Sequence, residues 1–477
     1  MKVRRLSQPT MLAFGIGQAA EGFKNTSFNV FLLFYYQQLV GVSGTMTGLA
    51  LGIALAFDAI TDPLAGFFSD RFHSRWGRRH PFMLFSAFPF ALAFVALFNP
   101  PEGLTEFGSF LWLLGFAIAV RAALTFYQVP HLALGAEMAH DYHQRSTLFA
   151  YGTVGAITAM AIVTFVGYRF FFPTTPEFSP GTLNPAGYAG FSVFFACAIL
   201  FVILLCVFGT AREIPYLRQS DGQQRIGLKE FKEDFGDVFS NRSFRVIFIG
   251  MMLSTFAIAV EAVFSPFMGI HFWGLPTESL ALLSFGTLIG LWIGLPLAPI
   301  FTRLFDKRWA LVGPALIVVV NANAALCLRL ADVSWFPTND SPLVFWIYFM
   351  RYLVQGIFLP VIFASFNSMF ADIADEIELQ VGKRSEGIIY SARSFATKAT
   401  AALGAIMGGI LLDVIAFPKG AVAGSVSEDT LWYLGVLEGP VTSLVSFLGV
   451  LFYLRYRIDR KRHAEIRAAI AARQSDG

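Results

Sequence analysis

The sequence predicts an all-α membrane protein with twelve transmembrane helices. Hydrophobic residues make up 56% of the 477 residues and charged residues only 14%, against about a quarter charged in ordinary soluble domains. The 53 phenylalanines carry more apolar surface than one soluble core of this length can hide, whereas lipid solvates such surface readily. Twelve apolar runs, each long enough to cross a bilayer, which takes roughly 20 residues, set the number of helices.

The predicted spans follow one another through short connections, with one exception. A polar stretch from Arg212 to Ser243 follows the sixth span and divides the chain into two halves of six spans each. The spans cover residues 11–39, 45–69, 81–99, 107–137, 147–172, 188–210, 244–270, 279–303, 309–331, 343–371, 386–415 and 430–455. The sequence therefore predicts an N-terminal six-helix bundle, a cytoplasmic linker, a C-terminal six-helix bundle and a cytoplasmic tail, at residues 1–212, 213–243, 244–455 and 456–477.

The linker contains an apolar edge on an otherwise charged segment. Ile226, Phe231, Phe235 and Val238 form this edge at roughly helical spacing. The pattern predicts a short helix that either lies on the cytoplasmic membrane surface or packs as an ordinary linker helix.

Lysine and arginine concentrate in alternate connections between the spans. The opposite connections contain Lys419 and little else, with Arg169 and Arg329 near helix ends. Because cytoplasmic loops carry the excess of basic residues, we expect both termini in the cytoplasm and a multi-pass protein of the cell membrane. The basic connections contain Lys2, Arg4, Arg5, Arg71, Arg75, Arg78, Arg79, Arg145, Arg303, Lys307, Arg308, Lys383 and Arg384, with further basic residues at 212–242 and 455–473.

The two halves share a short pattern after the fourth and after the tenth span. In each copy an alanine–acid pair precedes an arginine–serine pair, and a tyrosine follows six residues past the arginine. The repeat predicts two pseudo-symmetric bundles, an arrangement that transporters often use. The matching residues are Ala136, Glu137, Arg145, Ser146 and Tyr151 in the first half, and Ala374, Asp375, Arg384, Ser385 and Tyr390 in the second.

Two aspartates, Asp58 and Asp62, lie inside the second span. Their spacing of four places both carboxylates on one helix face, with Thr61 beside them. An ionisable group at the bilayer centre costs at least roughly 2.5–3.5 kcal/mol, so such residues usually mark a pathway. Because two close carboxylates do not both ionise readily, either one holds a proton or a cation lies between them, and both arrangements describe a coupling-ion site. The alternative is a structural salt bridge to Arg or Lys on a neighbouring helix.

Polar residues also lie on single faces of five other spans. Such stripes either line a cavity or join helices through hydrogen bonds. Lys398 in the eleventh span needs an anion, and the aspartates of the second span are its expected partners, in which case Lys398 competes with the cation. The candidate substrate-binding residues are Glu21 and Asn25 in the first span, Arg121 and Gln128 in the fourth, Glu261 in the seventh, Arg351 in the tenth and Lys398 in the eleventh.

The connection after the second span carries a dense cluster of charges at the cytoplasmic mouth. We expect ion pairs of this cluster to clamp the two halves together and to break when that side opens. Simple anchoring by positive charge is the alternative. The predicted gate consists of Asp70, Arg71, Arg75, Arg78 and Arg79.

Two segments resemble the signature of a known family. They are similar to the glycoside–pentoside–hexuronide:cation symporters, the melibiose-permease-like branch of the major facilitator superfamily. The resemblance implies the major facilitator fold and a sodium or proton site at Asp58, Asp62 and Thr125, with Lys398 as the family's helix-eleven lysine. The first segment is Phe57–Arg71 with its continuation Arg75–Arg79, and the second comprises Asp372–Glu376, Gly382–Arg384, Glu386, Gly387, Ser394, Phe395 and Lys398.

The resemblance is weaker where the family binds sugar. The family's sugar-binding acid of the first helix falls at Gly22, next to Glu21, and its acid of the fourth helix falls on Gln128. Its stacking tryptophan falls on Leu132, and its arginine of the fifth helix falls near Gly152. Since a polyol is held by aromatic stacking and paired hydroxyl contacts, and relatives in the broad family carry amphiphiles, a lysolipid or similar substrate is the alternative to a sugar.

The predicted function is secondary active transport. We expect alternating-access symport of a glycoside or related sugar with Na⁺ or H⁺, or the same mechanism with an amphiphile. The substrate is expected between the first, fourth, seventh, tenth and eleventh spans. No motif for metalloprotease, phosphate-loop or nucleophile chemistry is present, so neither an enzyme nor a cofactor beyond the coupling cation is expected. The net charge of +3 gives no reason to expect nucleic acid, and a monomer is the expected state.

Overall fold

The computed structural model describes residues 6–72, 74–139, 141–217, 235–383 and 386–475. Within these residues every regular element is a helix, and no strand occurs. Eleven continuous helices in the described ranges are long and apolar enough to cross a membrane, and they match the second to twelfth predicted spans one to one. The all-α membrane fold class is confirmed, whereas the cytoplasmic location of the termini remains a prediction.

The first predicted span is also helical, but it is not one continuous α-helix. Successive segments run from Gln8 to Val40, with a turn at Gln18 and two π-helical stretches in the second half. The run ends at Gly41, whose φ of 81° is the left-handed conformation that favours glycine. In the described chain the twelve spans, α1 to α12, are residues 8–40, Gly44–Arg71, His80–Leu97, Glu106–Met138, Tyr142–Val166, Pro185–Thr210, Arg242–Phe267, Thr277–Leu304, Lys307–Leu330, Pro342–Val381, Glu386–Val414 and Glu428–Tyr453.

Helix starts follow signals in the sequence. Short polar side chains accept a hydrogen bond from the first turn of several helices and so satisfy backbone N–H groups that have no partner within the helix. At the start of α2, Asp413 adds to this role, because its two carboxylate oxygens accept from the backbone N–H groups of Gly44 at 2.8 Å and Thr45 at 2.7 Å. The capping residues are Ser43, Thr105, Asp141, Asn184, Asp306 and Ser341.

The chain divides into two compact units. In the first unit, α1 packs against α5 and α6, while α4 packs against α2 and α3. Helices α1 and α5 approach closely at Gly15 and Gly155, where a Cβ on Gly155 would lie 2.1 Å from the Gly15 carbonyl oxygen. The first unit comprises Met1–Asp221, Ala262–Ser284 and Ala405–Leu431, and the second comprises Gly222–Glu261, Phe285–Gly404 and Trp432–Gly477.

In the second unit, α10 is longer than predicted, because it continues past residue 371 to Val381. Its acidic last turns find partners within the unit. Lys307 Nζ lies 2.6 Å from a carboxylate oxygen of Asp372, and His463 Nε2 lies 3.2 Å from Asp375 Oδ2. His463 belongs to α13, Arg460–Ser475, a helix inside the predicted tail that the hydropathy pattern does not reveal.

Part of the predicted linker helix lies within the described residues. Ile226 and Phe231 fall outside them. Residues 235–240 are helical, and Val238 is buried in a core with Phe244 and Phe370. This part of the linker therefore packs into the second unit.

Candidate functional site

Asp58 on α2 is held by an arginine of α4. Arg121 Nη2 lies 2.6 Å from Asp58 Oδ2, and Arg121 Nε donates to Asp58 Oδ1 at 3.2 Å. Both side chains are only 11% exposed, so this is a paired, two-point contact that is largely buried. For Asp58, the neighbouring-helix salt bridge foreseen as the alternative is present, and Arg121 is committed to a carboxylate within the first unit.

Asp62 makes the matching contact one helical turn further along. The Thr125 hydroxyl donates to Asp62 Oδ1 at 3.0 Å. The two pairs have the same sequence separation of 63 residues, as expected for parallel helices in constant register. Thr61 takes a different direction, since its hydroxyl donates to the Phe57 carbonyl of its own helix at 3.3 Å. Asp62 and Thr125 thus place a carboxylate and a hydroxyl side by side, one helical turn from the carboxylate that binds the Arg121 guanidinium.

Glu21 is the centre of a polar cluster between α1 and α4. Gln128 Nε2 donates to Glu21 Oε2 at 3.0 Å, and Asn25 Nδ2 donates to Glu21 Oε1 at 3.4 Å. Gln18 also donates to the same carboxylate. The other amide atom of Gln128, Oε1, is buried and has no hydrogen-bond partner among the described residues. Three predicted substrate contacts, Glu21, Asn25 and Gln128, are therefore brought together in the first unit.

The predicted gate residues form a network with an acid that the prediction omitted. Arg79 Nη2 lies 2.5 Å from Asp70 Oδ1 and 2.9 Å from Glu137 Oε1, and Arg78 Nη2 lies 2.9 Å from the same Glu137 oxygen. Arg71 instead stacks its guanidinium 3.7 Å from the centre of a phenylalanine ring, and Arg75 is exposed. The pairs described here tie the end of α2 to the end of α4 within the first unit. Clamping between the halves remains a prediction.

The second unit contains another charged group, on α7, α10 and α12. Arg351 Nη2 donates to Glu438 Oε1 at 2.6 Å and also to Glu261. Glu261 and Arg351, predicted as substrate contacts, are thus paired with each other. Glu438 was not among the predicted site residues, although a single acid inside the last apolar run indicates a functional position. Lys398 lies on α11, and its pairing with the aspartates of α2 remains a prediction.

Comparison with known proteins fits this architecture. A family model described as MFS/sugar transport protein matches residues 13–460. The chain belongs to this family. It is accordingly a multi-pass membrane transporter and not an enzyme. It is of the glycoside–pentoside–hexuronide:cation symporter type, which the sequence motifs resemble. The predicted fold of the major facilitator superfamily is confirmed.

Individual relatives of this transporter are distant in sequence but similar over their whole length. An uncharacterized symporter of Synechocystis sp. is 26% identical, covering 100% of this chain and 99% of that protein. The glucuronide carrier protein homolog of Escherichia coli is 25% identical, covering 94% of this chain and 93% of that protein. A crystal structure of a bacterial homolog of the human lysosomal transporter Spinster matches with a TM-score of 0.66 at 16% identity, covering 95% of this chain and all of that one. The match to this structure supports the fold alone.

Proposed function

We propose that this transporter couples uptake of a glycoside or related sugar to Na⁺ or H⁺ by alternating access. The observation that carries the proposal is the pair of contacts between α2 and α4 in the first unit: the salt bridge of Asp58 with Arg121 and the hydrogen bond of Asp62 with Thr125. Its support is the symporter type of the family, together with relatives named as a symporter and as a glucuronide carrier homolog.

The coupling cation is proposed to bind at Asp62, with the Thr125 hydroxyl as a second ligand and Asp58 as a third. Arg121 already neutralises Asp58, so a cation that enters has to share this carboxylate with the guanidinium. Removing one partner from a buried pair is costly, about 3–5 kcal/mol, which makes the position of α4 sensitive to occupancy of the site. Cation binding is thereby linked to helix movement, as coupling requires.

The sugar is proposed to bind at the Glu21 cluster. Carboxylate and amide groups match hydroxyl groups as donors and acceptors, and Gln128 Oε1 is a buried acceptor without a partner in the described chain. The structure also gives a reason why this chain lacks the family's acid at position 22. A Cβ on Gly22 would lie 2.5 Å from the Ala156 carbonyl oxygen of α5, so the close packing of α1 on α5 leaves no room for a side chain there. Glu21 is then the carboxylate available for the sugar.

The test is uptake into proteoliposomes of a panel of galactosides, glucosides, pentosides and hexuronides, under an imposed Na⁺ gradient and separately under an H⁺ gradient. We expect one glycoside to accumulate above equilibrium with one of the two gradients. Asp62→Asn should abolish this accumulation while the protein still inserts and purifies as a single species, and Asp429→Asn, a change at an exposed aspartate, should leave it intact. Full accumulation by Asp62→Asn would refute the cation site.

A second candidate substrate is an amphiphile such as a lysolipid. The observation that favours it is the loss of sugar contacts at Gly22 and Leu132, since Leu132 presents an aliphatic side chain, 40% exposed, where the family places a stacking ring. A lysolipid is therefore included in the panel. Gradient-driven uptake of the lysolipid without uptake of any sugar would assign the cation site to this other substrate.

A further inference from the structure

Three charged side chains meet inside the second unit, one from each of three spans. Glu261 comes from α7, Arg351 from α10 and Glu438 from α12. Arg351 Nη2 donates to both carboxylates, at 2.6 Å to Glu438 Oε1. The Glu438 side chain is 1% exposed, that of Arg351 10% and that of Glu261 27%. Glu438 is thus the deeply buried member of the triad, and Glu261 is its most exposed member.

The backbone at Glu438 is irregular. It lies in a π-helical turn, Leu437–Val441, between two α-helical parts of α12. Such turns within α-helices are rare and occur frequently at functional sites. The turn contains Pro440, which has no backbone N–H to donate, so the widened turn combines a break in the helix with a buried acid.

The charges of the triad do not balance when all three groups are ionised. Two carboxylates face one guanidinium, which leaves one negative charge in a segment that crosses the membrane. Among the described residues, the titratable groups that interact electrostatically with Glu438 are Arg351 and Tyr348 of α10 and Glu261 of α7. Tyr352 interacts electrostatically with Arg351. From α9, the polar neighbours are amides, with Asn321 donating to the Arg351 carbonyl and Asn323 to Ser443 of α12. No second cation of the described chain compensates the surplus charge.

The hydrogen bonds of the triad are also incomplete. Glu438 Oε2 and Arg351 Nη1 are buried and have no partner in the part of the chain that the structure describes. A buried carboxylate oxygen that is charged and unpaired costs several kcal/mol. A proton on Oε2 removes the surplus charge and leaves Oε1 free to accept from Arg351. A metal cation fits less well, because it needs several oxygen ligands and the triad offers one unpaired oxygen beside a guanidinium.

We propose that Glu438 is a proton-binding residue and that the Glu261–Arg351–Glu438 triad takes up one proton at Glu438. The proton exchanges through the more exposed Glu261 side of the triad. Since Arg351 joins α7, α10 and α12, protonation changes the balance of its two ion pairs and with it the attachment of α12. This proton site lies in the second unit and does not depend on the proposed symport or on its cation site.

The test is infrared difference spectroscopy of the purified protein in liposomes, recorded as the pH is raised. We expect a band of a protonated buried carboxyl group that disappears on deprotonation and that is lost in Glu438→Gln. Glu278→Gln serves as the matched control and should retain the band. It removes a carboxylate of the first unit that accepts hydrogen bonds from Thr174. Persistence of the full band in Glu438→Gln would overturn the proposal.

A second variant keeps the test decisive if Glu438→Gln does not fold. In Glu261→Gln, one carboxylate remains opposite Arg351, so the charges balance without a proton. The Glu438 band should then disappear at a lower pH than in the wild type, because a nearby like charge has been removed. An unchanged titration midpoint in Glu261→Gln would contradict the triad as a proton site.

Discussion

Replacing Arg121 with glutamine removes the guanidinium that both oxygens of Asp58 accept from. The variant retains a polar but shorter side chain, and the double variant described below separates the loss of charge from any loss of packing. What remains is a carboxylate in a membrane span, 11% exposed, without its cationic partner. Its options are to bind a proton, to bind another cation or to stay charged at a cost in stability.

The size of this effect follows from the burial of the pair. Breaking a fully buried ion pair costs about 3–5 kcal/mol, because it leaves an uncompensated charge. Since each side chain keeps 11% exposure, we expect about 2–3 kcal/mol for Arg121→Gln. Removing both charges, in Asp58→Asn with Arg121→Gln, should cost no more than about 1 kcal/mol, because no charge is left buried.

The assay is reversible unfolding of the wild type, both single variants and the double variant in mixed micelles, which gives a double-mutant cycle. Arg75→Gln, a change at an exposed arginine, is the matched control and should be neutral. Lower pH or added Na⁺ should stabilise Arg121→Gln more than the wild type, since the freed carboxylate gains a ligand. A double variant as unstable as Arg121→Gln alone would refute the reasoning, because the loss would then come from packing.

Three further predictions concern the first unit. Thr125→Val removes the hydroxyl bonded to Asp62 and should raise the half-saturating cation concentration for uptake about tenfold. Thr125→Ser should restore the wild-type value, and equal half-saturating concentrations in the two variants would argue against Thr125 as a cation ligand. Gly22→Asp places a Cβ 2.5 Å from the Ala156 carbonyl oxygen, so unfolding should become about 1–3 kcal/mol easier, whereas a stable variant with tighter glycoside binding would be the opposite outcome. Asp70→Asn alters a side chain that is 46% exposed, so stability should change by less than about 1 kcal/mol while turnover slows, and unchanged transport rates would reduce this residue to an anchor.

The fold class and the spans were determined by the sequence, because lipid acts on each apolar run separately. A helix that crosses a membrane satisfies its backbone hydrogen bonds within itself, so its existence depends on local composition. Predicted and observed boundaries agree within a few residues for most spans. The deviations do not all have local causes. The first span is divided at Gln18, and α10 continues to Val381, where its acidic residues bind partners that lie far away in sequence.

The pairing of side chains was decided by the tertiary structure alone. The sequence places Asp58 and Asp62 on one face, but which residue faces them depends on how α2 and α4 pack, across 63 residues of chain. The spacing left open whether Asp58 meets a cation or a salt bridge, and the register of the two helices selects Arg121. Glu438 shows the same limit, since its partner Arg351 lies 87 residues earlier. Long-range contacts arise from the faces that helices turn toward each other, and periodicity within one helix carries no information about its neighbour.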